Sequence, residues 1–153
     1  MKKTVLFFIF LLINFGALGI GSLLMQNGPI TAWYMDLNKA PWSPPGWVFG
    51  AAWTTIMICF SFYMSLLYDK LKSNKIILLF AIQFLLNISW NYVFFNQHLI
   101  TLGFINLILL TLLVSYFLIA FYKVIKFKSL FIVPYVVWLY IATSLNLYIL
   151  IYN

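Results

Sequence analysis

Apolar residues along the chain fall into five long runs, separated by four short polar gaps. Each run can cross the hydrocarbon core of a bilayer as a helix, which takes about 20 residues. The runs lack the alternating pattern of barrel strands and are about twice as long as such strands. The pattern therefore predicts an all-α fold, an integral membrane bundle of five transmembrane helices that forms one domain over residues 1–153. The predicted helices are 4–25, 45–68, 76–95, 99–122 and 129–151.

Composition agrees with a membrane protein and excludes a soluble domain. Hydrophobic residues make up 65% of the chain and charged residues only 7%, whereas a soluble domain has about 25% charged residues. The net charge of +7 does not indicate nucleic-acid binding, because the lysines lie between apolar runs and form no basic face. Cys59 is the single cysteine, so an intramolecular disulfide or a thiolate metal cluster is excluded. We expect no bound metal and no intrinsic cofactor.

The lysines predict an orientation. With five crossings, the N-terminus and the second and fourth gaps share one side of the membrane, and the other side has only Lys39. The first side contains Lys2, Lys3, Lys70, Lys72, Lys75, Lys123, Lys126 and Lys128. A lysine excess in short loops marks the cytoplasmic face. We therefore predict a multi-pass protein of the cell membrane, with a cytoplasmic N-terminus and the C-terminus outside.

The first apolar run has an alternative interpretation as a signal peptide. Lys2 and Lys3 resemble a basic n-region, and Ala17-Leu18-Gly19 resembles a cleavage site. The run continues to Met25, which is longer than the hydrophobic region of a signal peptide. The four other runs would still make a membrane protein.

The first gap and the start of the second predicted helix are rich in aromatic residues. The stretch from Trp33 to Trp53 contains four of the six tryptophans. Tryptophan and tyrosine at a membrane interface can simply anchor helices at the headgroups, and this explanation stays open for Trp33, Tyr34 and Trp42. Trp47 and Trp53 lie one and two turns into the membrane, where such an anchoring belt should have ended.

The third predicted helix has amide and aromatic side chains at spacings of four, three, one and three. They are Gln83, Asn87, Trp90, Asn91 and Phe94. These spacings place them on one face of a helix. Since an amide in hydrocarbon is costly without a partner, this face must point into the bundle or into a cavity. The amides either join helices, at about 0.6 to 2 kcal/mol per hydrogen bond, or line a polar pocket.

The fifth predicted helix repeats this pattern. Trp138, Ala142 and Asn146 follow at intervals of four, and Leu145 lies beside them. Together the two helices predict a pocket with aromatic walls and a few amides, which suits a flat, largely apolar ligand with one or two polar groups. Lys39 either meets a ligand carboxylate at the pocket mouth or is a solvated interfacial lysine.

Absences in the sequence argue against several classes of function. The predicted helices contain no acidic or basic residue within the membrane, which argues against proton pumps and ion-coupled transporters. There is no nucleotide-binding loop and no hydrolase motif, and the lack of an acid–base pair argues against conventional hydrolysis. A lone loop histidine, His98, is usually interfacial and not a haem ligand. Redox chemistry at tryptophan or tyrosine, driven by a bound chromophore, stays open.

Three ordered motifs resemble those of one known family. They are Pro41-Trp42-Ser43-Pro44-Pro45-Gly46-Trp47 with Trp53, then Gln83-x-x-x-Asn87-x-x-Trp90 with Phe94-Phe95, then Pro134-Tyr135-x-x-Trp138 with Leu145-Asn146. They resemble the tryptophan-rich sensory protein family, also called the translocator protein or peripheral-type benzodiazepine receptor family. The resemblance covers essentially the whole chain and suggests a bacterial member.

This resemblance implies a five-helix bundle that binds porphyrins such as protoporphyrin IX, haem precursors and benzodiazepine-type drugs below the first loop. In this picture the aromatic side chains stack on the macrocycle, while Asn87 and the indole N–H of Trp53 bond its polar groups. The implied ligand-binding residues are Trp33, Tyr34, Pro44, Trp47, Phe49, Trp53, Asn87, Trp90, Trp138, Ala142, Leu145 and Asn146.

The resemblance leaves three functions open. The first is a membrane receptor or sensor that binds porphyrins and drugs. The second is light- and oxygen-dependent breakdown of a bound porphyrin, with Trp47, Trp53 and Trp138 as the catalytic electron donors. The third is transport of porphyrins or other amphiphiles. The expected partners are the porphyrin and the lipid bilayer, with a homodimer as an open alternative and no nucleic acid. The basic residue of the animal members' cholesterol motif is missing after Tyr148 and Tyr152.

Overall fold

The computed structural model describes residues 3–153, and all of its regular secondary structure is helical. Its α-helices are α1 Lys3–Met25, α2 Ala32–Asp36, α3 Gly46–Leu71, α4 Asn74–Asn91, α5 Ile100–Ile125 and α6 Val133–Tyr152. Two 3-10 segments, Gly28–Ile30 and Lys126–Ile132, and a π-helical segment, Tyr92–Asn96, lie between them. Residues 3–153 contain no strand, so the prediction of an all-α fold is confirmed.

Four helical stretches are long and apolar enough to cross a membrane. They are Lys3–Ile30, Gly46–Leu71, Asn74–Asn96 and Ile100–Tyr152. The last has 53 residues and would be about 80 Å long as one straight helix. It is not straight, because the 3-10 segment divides it into α5 and α6, which pack against each other.

The five long helices form a ring. α1 packs against α3 and α4, α4 packs against α5, α5 packs against α6, and a looser contact between α6 and α3 closes the ring. Large apolar side chains such as Leu12 and Leu23 lie on the outer surface, while the amides of Asn14 and Gln83 are buried. Polar groups inside and apolar groups outside are the arrangement that a bilayer favours.

The boundaries of the helices follow from local chemistry. α3 continues to Leu71 and ends at Lys72, whose φ of 43° places it in the left-handed region. The Ser73 side chain then caps α4 by accepting a hydrogen bond from the backbone N–H of Lys75 at 3.2 Å. α6 begins at Val133, and not at residue 129 as expected, because residues 126–132 form the 3-10 segment. Pro134 occupies the first turn of α6, where its missing N–H costs nothing.

Except for Lys39, the described lysines collect at one end of the ring, called here the lysine end. Lys3 pairs with Asp69 at 3.7 Å, Lys70 Nζ donates to the Val124 carbonyl at 3.0 Å, and Lys75 Nζ donates to the Tyr116 hydroxyl at 3.2 Å. Lys72, Lys123, Lys126 and Lys128 lie on the same turns and segments. Lys2 is outside the described residues. The opposite end, called the loop end, consists of residues 26–45, the end of α4 and the end of α6.

Candidate functional site

The loop over residues 26–45 is ordered by its own side chains. The Thr31 hydroxyl donates to the Gly28 carbonyl at 2.7 Å and accepts from the backbone N–H of Tyr34 at 3.4 Å, which starts α2. Lys39 Nζ donates to the carbonyls of Tyr34 at 2.7 Å and Met35 at 3.0 Å. A cation at the carbonyl end of a helix is favourable. Lys39 therefore stabilises the loop through backbone carbonyls, and its ammonium is already bonded within the protein.

The same loop is bonded to the end of α6. The Asn38 backbone N–H donates to Asn153 Oδ1 at 2.9 Å, Asn38 Nδ2 donates to the Tyr152 carbonyl at 3.0 Å, and Asn153 Nδ2 donates to the Asn38 carbonyl at 3.3 Å. Trp42 Nε1 donates to the Ser144 hydroxyl at 3.1 Å. This set of hydrogen bonds, called the loop–α6 contact, holds the loop over the end of the ring.

On its other side the loop packs on aromatic rings that follow α4. Trp33 stacks on His98 with ring centroids 4.1 Å apart and meets Phe94 edge to face at 5.5 Å. The Tyr34 ring lies 5.2 Å from Phe95. Burial raises the pKa of the Tyr34 phenol above its ordinary value, because removal from water disfavours the charged form. The Tyr34 phenol is therefore neutral where it packs on Phe95 at the loop end.

The polar face of α4 points into the ring, as the sequence predicts. Gln83 is 2% exposed, and its Nε2 donates to the Tyr135 hydroxyl of α6 at 2.8 Å. Asn87 is buried, and its side chain makes no hydrogen bond within residues 3–153. Trp90 stacks on Phe94 with ring centroids 5.2 Å apart.

Three buried polar atoms on this inner surface lack a hydrogen-bond partner among residues 3–153. They are Gln83 Oε1, Trp90 Nε1 and Asn146 Oδ1. Leaving such a group unpaired costs about 1–3 kcal/mol. The interior thus offers two acceptors and one donor that the described side chains do not use.

Aromatic residues of α3 and α6 form the facing wall. Trp138 meets Phe49 edge to face with ring centroids 5.3 Å apart, and Trp53 meets Tyr135 in the same way at 5.9 Å. Ala142 is half-buried beside them. Phe49 and Trp53 of α3 therefore pack with Trp138 and Ala142 of α6 in one apolar core, which also includes Trp90 of α4.

The predicted binding residues divide into three groups in the structure. An interior group comprises Phe49, Trp53, Asn87, Trp90, Trp138, Ala142, Leu145 and Asn146, all buried or half-buried. Trp33 and Tyr34 belong to the loop end, where they pack in a second apolar cluster that also contains Trp90. Pro44 is half-buried in the loop. Trp47 is 74% exposed and lies outside both clusters.

Some residues of this region were not among those predicted to bind a ligand. Gln83 and Tyr135 lie in the recognised motifs, and the buried amide stripe was the signal for Gln83. Asn38, Ser144 and Asn153 connect the loop to α6, and no local pattern in the sequence indicates this contact.

Comparison with known proteins identifies the family. The TspO/MBR family matches residues 8–152 of the chain. The chain belongs to the TspO/MBR family. This TspO/MBR protein is 33% identical to the Tryptophan-rich protein TspO of Chlorobaculum tepidum over 141 residues, which are 90% of this chain and 89% of that protein. It is 34% identical over 119 residues to Protein CrtK of Rhodobacter capsulatus, covering 75% and 74%.

The TspO/MBR chain is also similar to animal proteins. It is 29% identical over 125 residues to the human Translocator protein, covering 78% of this chain and 74% of that protein. The resemblance that the three sequence motifs indicate is thus confirmed. Family and apolar helices together establish a membrane protein of the TspO/MBR family.

Proposed function

We propose that this TspO/MBR protein is a multi-pass receptor of the cell membrane that binds porphyrins such as protoporphyrin IX, and benzodiazepine-type drugs, between α3, α4 and α6. The observation that carries the proposal is the set of buried polar atoms without partners, Gln83 Oε1, Trp90 Nε1 and Asn146 Oδ1. They lie on the inner side of a ring whose neighbouring walls are aromatic.

The chemistry of these atoms fits a flat heterocycle. The two amide oxygens accept hydrogen bonds, so a ligand with N–H donors such as the pyrrole N–H groups of a free-base porphyrin would satisfy them. The indole N–H of Trp90 donates and would bond a carbonyl or carboxylate of the ligand. Offset or edge-to-face contact with Trp53 and Trp138 would then hold the rings. In this arrangement Asn87 is a further amide that can donate or accept.

We also infer the topology on which this receptor depends. In the proposed arrangement α1, α3, α4, α5 and α6 each cross the bilayer, with the lysine end in the cytoplasm. The loop end and the C-terminus of α6 then face outward. The support is the lysine excess at one end of the ring, which marks the cytoplasmic face in short loops.

Protoporphyrin IX binding can be tested by tryptophan quenching in detergent, with Asn146→Leu as the variant. We expect saturable quenching and about tenfold weaker binding in the variant, because a lost hydrogen bond of about 1.4 kcal/mol is a factor of ten. Asn106→Leu is the matched control, since Asn106 Oδ1 is likewise buried without a partner but its Nδ2 bonds Ser89 at 2.7 Å, at the contact of α5 with α4. Quenching that never saturates, or equal weakening by both variants, would refute the proposal.

Light-driven breakdown of the bound porphyrin is a second candidate. It is favoured by the contact between Trp53 and Tyr135, whose rings are 5.9 Å apart. The excited porphyrin would take one electron from the indole and pass it to oxygen, and the neighbouring phenol would then reduce the indole again. The test is to illuminate the complex in the presence of oxygen and follow the Soret band in Trp53→Phe and Trp138→Phe. Trp47→Phe should change the bleaching rate least, because Trp47 is exposed. Bleaching as fast in these variants, or with free porphyrin, would reject this function.

A further inference from the structure

An open groove lies at the lysine end, far from the proposed ligand site. It runs between the last turns of α5, the 3-10 segment that follows and the first turn of α6, and its volume is about 500 Å³. Its lining includes Ile119, Tyr122, Lys126, Phe127, Ser129 and Leu130. A volume of this size falls in the range of small-molecule sites.

We propose that this groove binds one anionic phospholipid, with an acyl chain against its apolar walls and the phosphate beside Lys126. The walls face outward, since Ile119 is 76% exposed and Phe127 is 79% exposed. The groove therefore begins on the apolar surface of α5 and ends among lysines. A phospholipid has the same order of parts, an apolar chain followed by a charged phosphate.

The ammonium of Lys126 is available for such a phosphate. Within residues 3–153 it makes no salt bridge or hydrogen bond. The nearby carbonyl of Val124 already accepts from Lys70 Nζ at 3.0 Å. The chain has only two acidic residues, and one of them, Asp69, pairs with Lys3. An anion from outside the protein is thus the complementary charge.

The backbone at Lys126 gives a second argument. Its φ is 50° and its ψ is −126°, a combination that glycine adopts far more readily than residues with a side chain. The backbone is therefore strained with lysine at this position and would be relaxed with glycine. Strained backbone positions often belong to functional sites. Ser129 adds a further polar group at the groove, since it is buried and its Oγ has no partner among the described residues.

The occupant suggested by these observations is a phospholipid and not a sterol or a helix of another protein. A sterol has no charge for Lys126 to bind. A partner helix would need an acidic side chain within an apolar face, which is costly in a bilayer. Charge complementarity therefore favours a lipid with an anionic phosphate headgroup, such as phosphatidylglycerol.

Native mass spectrometry of the full chain in mild detergent tests the proposal, with phosphatidylglycerol and phosphatidylcholine as competing probes. We expect one phosphatidylglycerol to be retained preferentially. Lys126→Gln should weaken its retention about fivefold, the factor that one lysine near an anionic lipid surface provides. Lys128→Gln is the matched control, because Lys128 is on the same segment but does not line the groove.

A second variant separates binding from folding. Lys126→Gly removes the charge and also relieves the backbone strain, so it should unfold no more easily than the unmodified protein yet lose the preferred lipid. Equal loss in the Lys126 and Lys128 variants would mean unspecific attraction and would overturn the site. Retention of phosphatidylcholine in place of phosphatidylglycerol, or of no lipid at all, would overturn it as well.

Discussion

Replacing Tyr135 with phenylalanine would remove one oxygen atom from the centre of the ring and leave the Gln83 amide entirely unpaired. In the structure Gln83 Nε2 donates to the Tyr135 hydroxyl at 2.8 Å, while Gln83 Oε1 already lacks a partner. Both residues are almost completely buried. The change keeps the ring and the volume of the side chain, so its effect should come from the hydrogen bond alone.

Tyr63→Phe provides a control of equal size. Tyr63 is also fully buried, and its hydroxyl donates to the backbone carbonyl of Phe117 at 2.7 Å. That carbonyl lies within α5, so it keeps its helical hydrogen bond after the substitution. The Gln83 amide has no such second bond. We therefore expect a loss of about 0.6 kcal/mol for Tyr63→Phe, the average for side-chain hydrogen bonds between membrane helices, and about 2 kcal/mol for Tyr135→Phe, as for an unpaired buried group.

The free energies of unfolding can be measured by titrating the purified protein from mild detergent into sodium dodecyl sulfate while following tryptophan fluorescence. Combining Tyr135→Phe with Gln83→Leu should recover part of the loss, because both partners are then apolar. A double-mutant cycle over these two substitutions gives the coupling free energy between Tyr135 and Gln83, which we expect to be about 1 kcal/mol. Zero coupling, or a Tyr63→Phe loss as large as that of Tyr135→Phe, would show that the inter-helix hydrogen bond does not carry the stability assigned to it.

Two further predictions concern the loop end. Asn153→Ala removes hydrogen bonds to Asn38, so amide hydrogen exchange at Asn38 should become about tenfold faster for a loss of about 1.4 kcal/mol; unchanged exchange would contradict a role for the loop–α6 contact. Gly28→Ala should destabilise the protein by about 1–3 kcal/mol, because an added Cβ would lie 2.6 Å from Phe95 side-chain atoms. Gly46→Ala is the control in the same detergent titration, because an added Cβ there meets nothing within 4 Å. Equal losses of unfolding free energy in the two variants would refute the clash with Phe95.

The inward face of α4 could be predicted from sequence because it depends only on the spacing of polar residues within that helix. Gln83 and Asn87 are four residues apart, and amides at this spacing share one helix face that must avoid lipid. The structure buries both residues. The same argument applies to Trp138 and Asn146 of α6, which are also buried. Where the cost of exposure to lipid is large, the pattern alone is informative.

The position of Trp47 shows that depth in the membrane does not predict the direction in which a side chain points. Depth alone groups Trp47 with Trp53, because both lie below the membrane interface. Six residues at 3.6 per turn place them about 120° apart around the helix, so both cannot point into the ring. The structure has Trp53 packed against the core and Trp47 exposed. The direction in which a side chain points can be predicted only when the positions of the neighbouring helices are known. The sequence of one helix does not give those positions.

The π-helical segment and the course of the loop could not be predicted for a different reason. Phe94 and Phe95 are adjacent, yet both are buried, because the π-helical segment Tyr92–Asn96 changes the register after α4. Asn38 and Asn153 are 115 residues apart and have no shared motif. Contacts of this kind depend on the assembled ring and leave no pattern in either segment.

The loop–α6 contact also has a practical consequence for work with this protein. Because Asn153 bonds Asn38, a reporter group attached at residue 153 would sense whether the loop is seated, without any change near the interior aromatic residues. A purification tag fused there would lie beside these hydrogen bonds and would disturb the seating of the loop in every assay. Tags for ligand measurements are therefore better placed before α1, at the opposite end of the molecule.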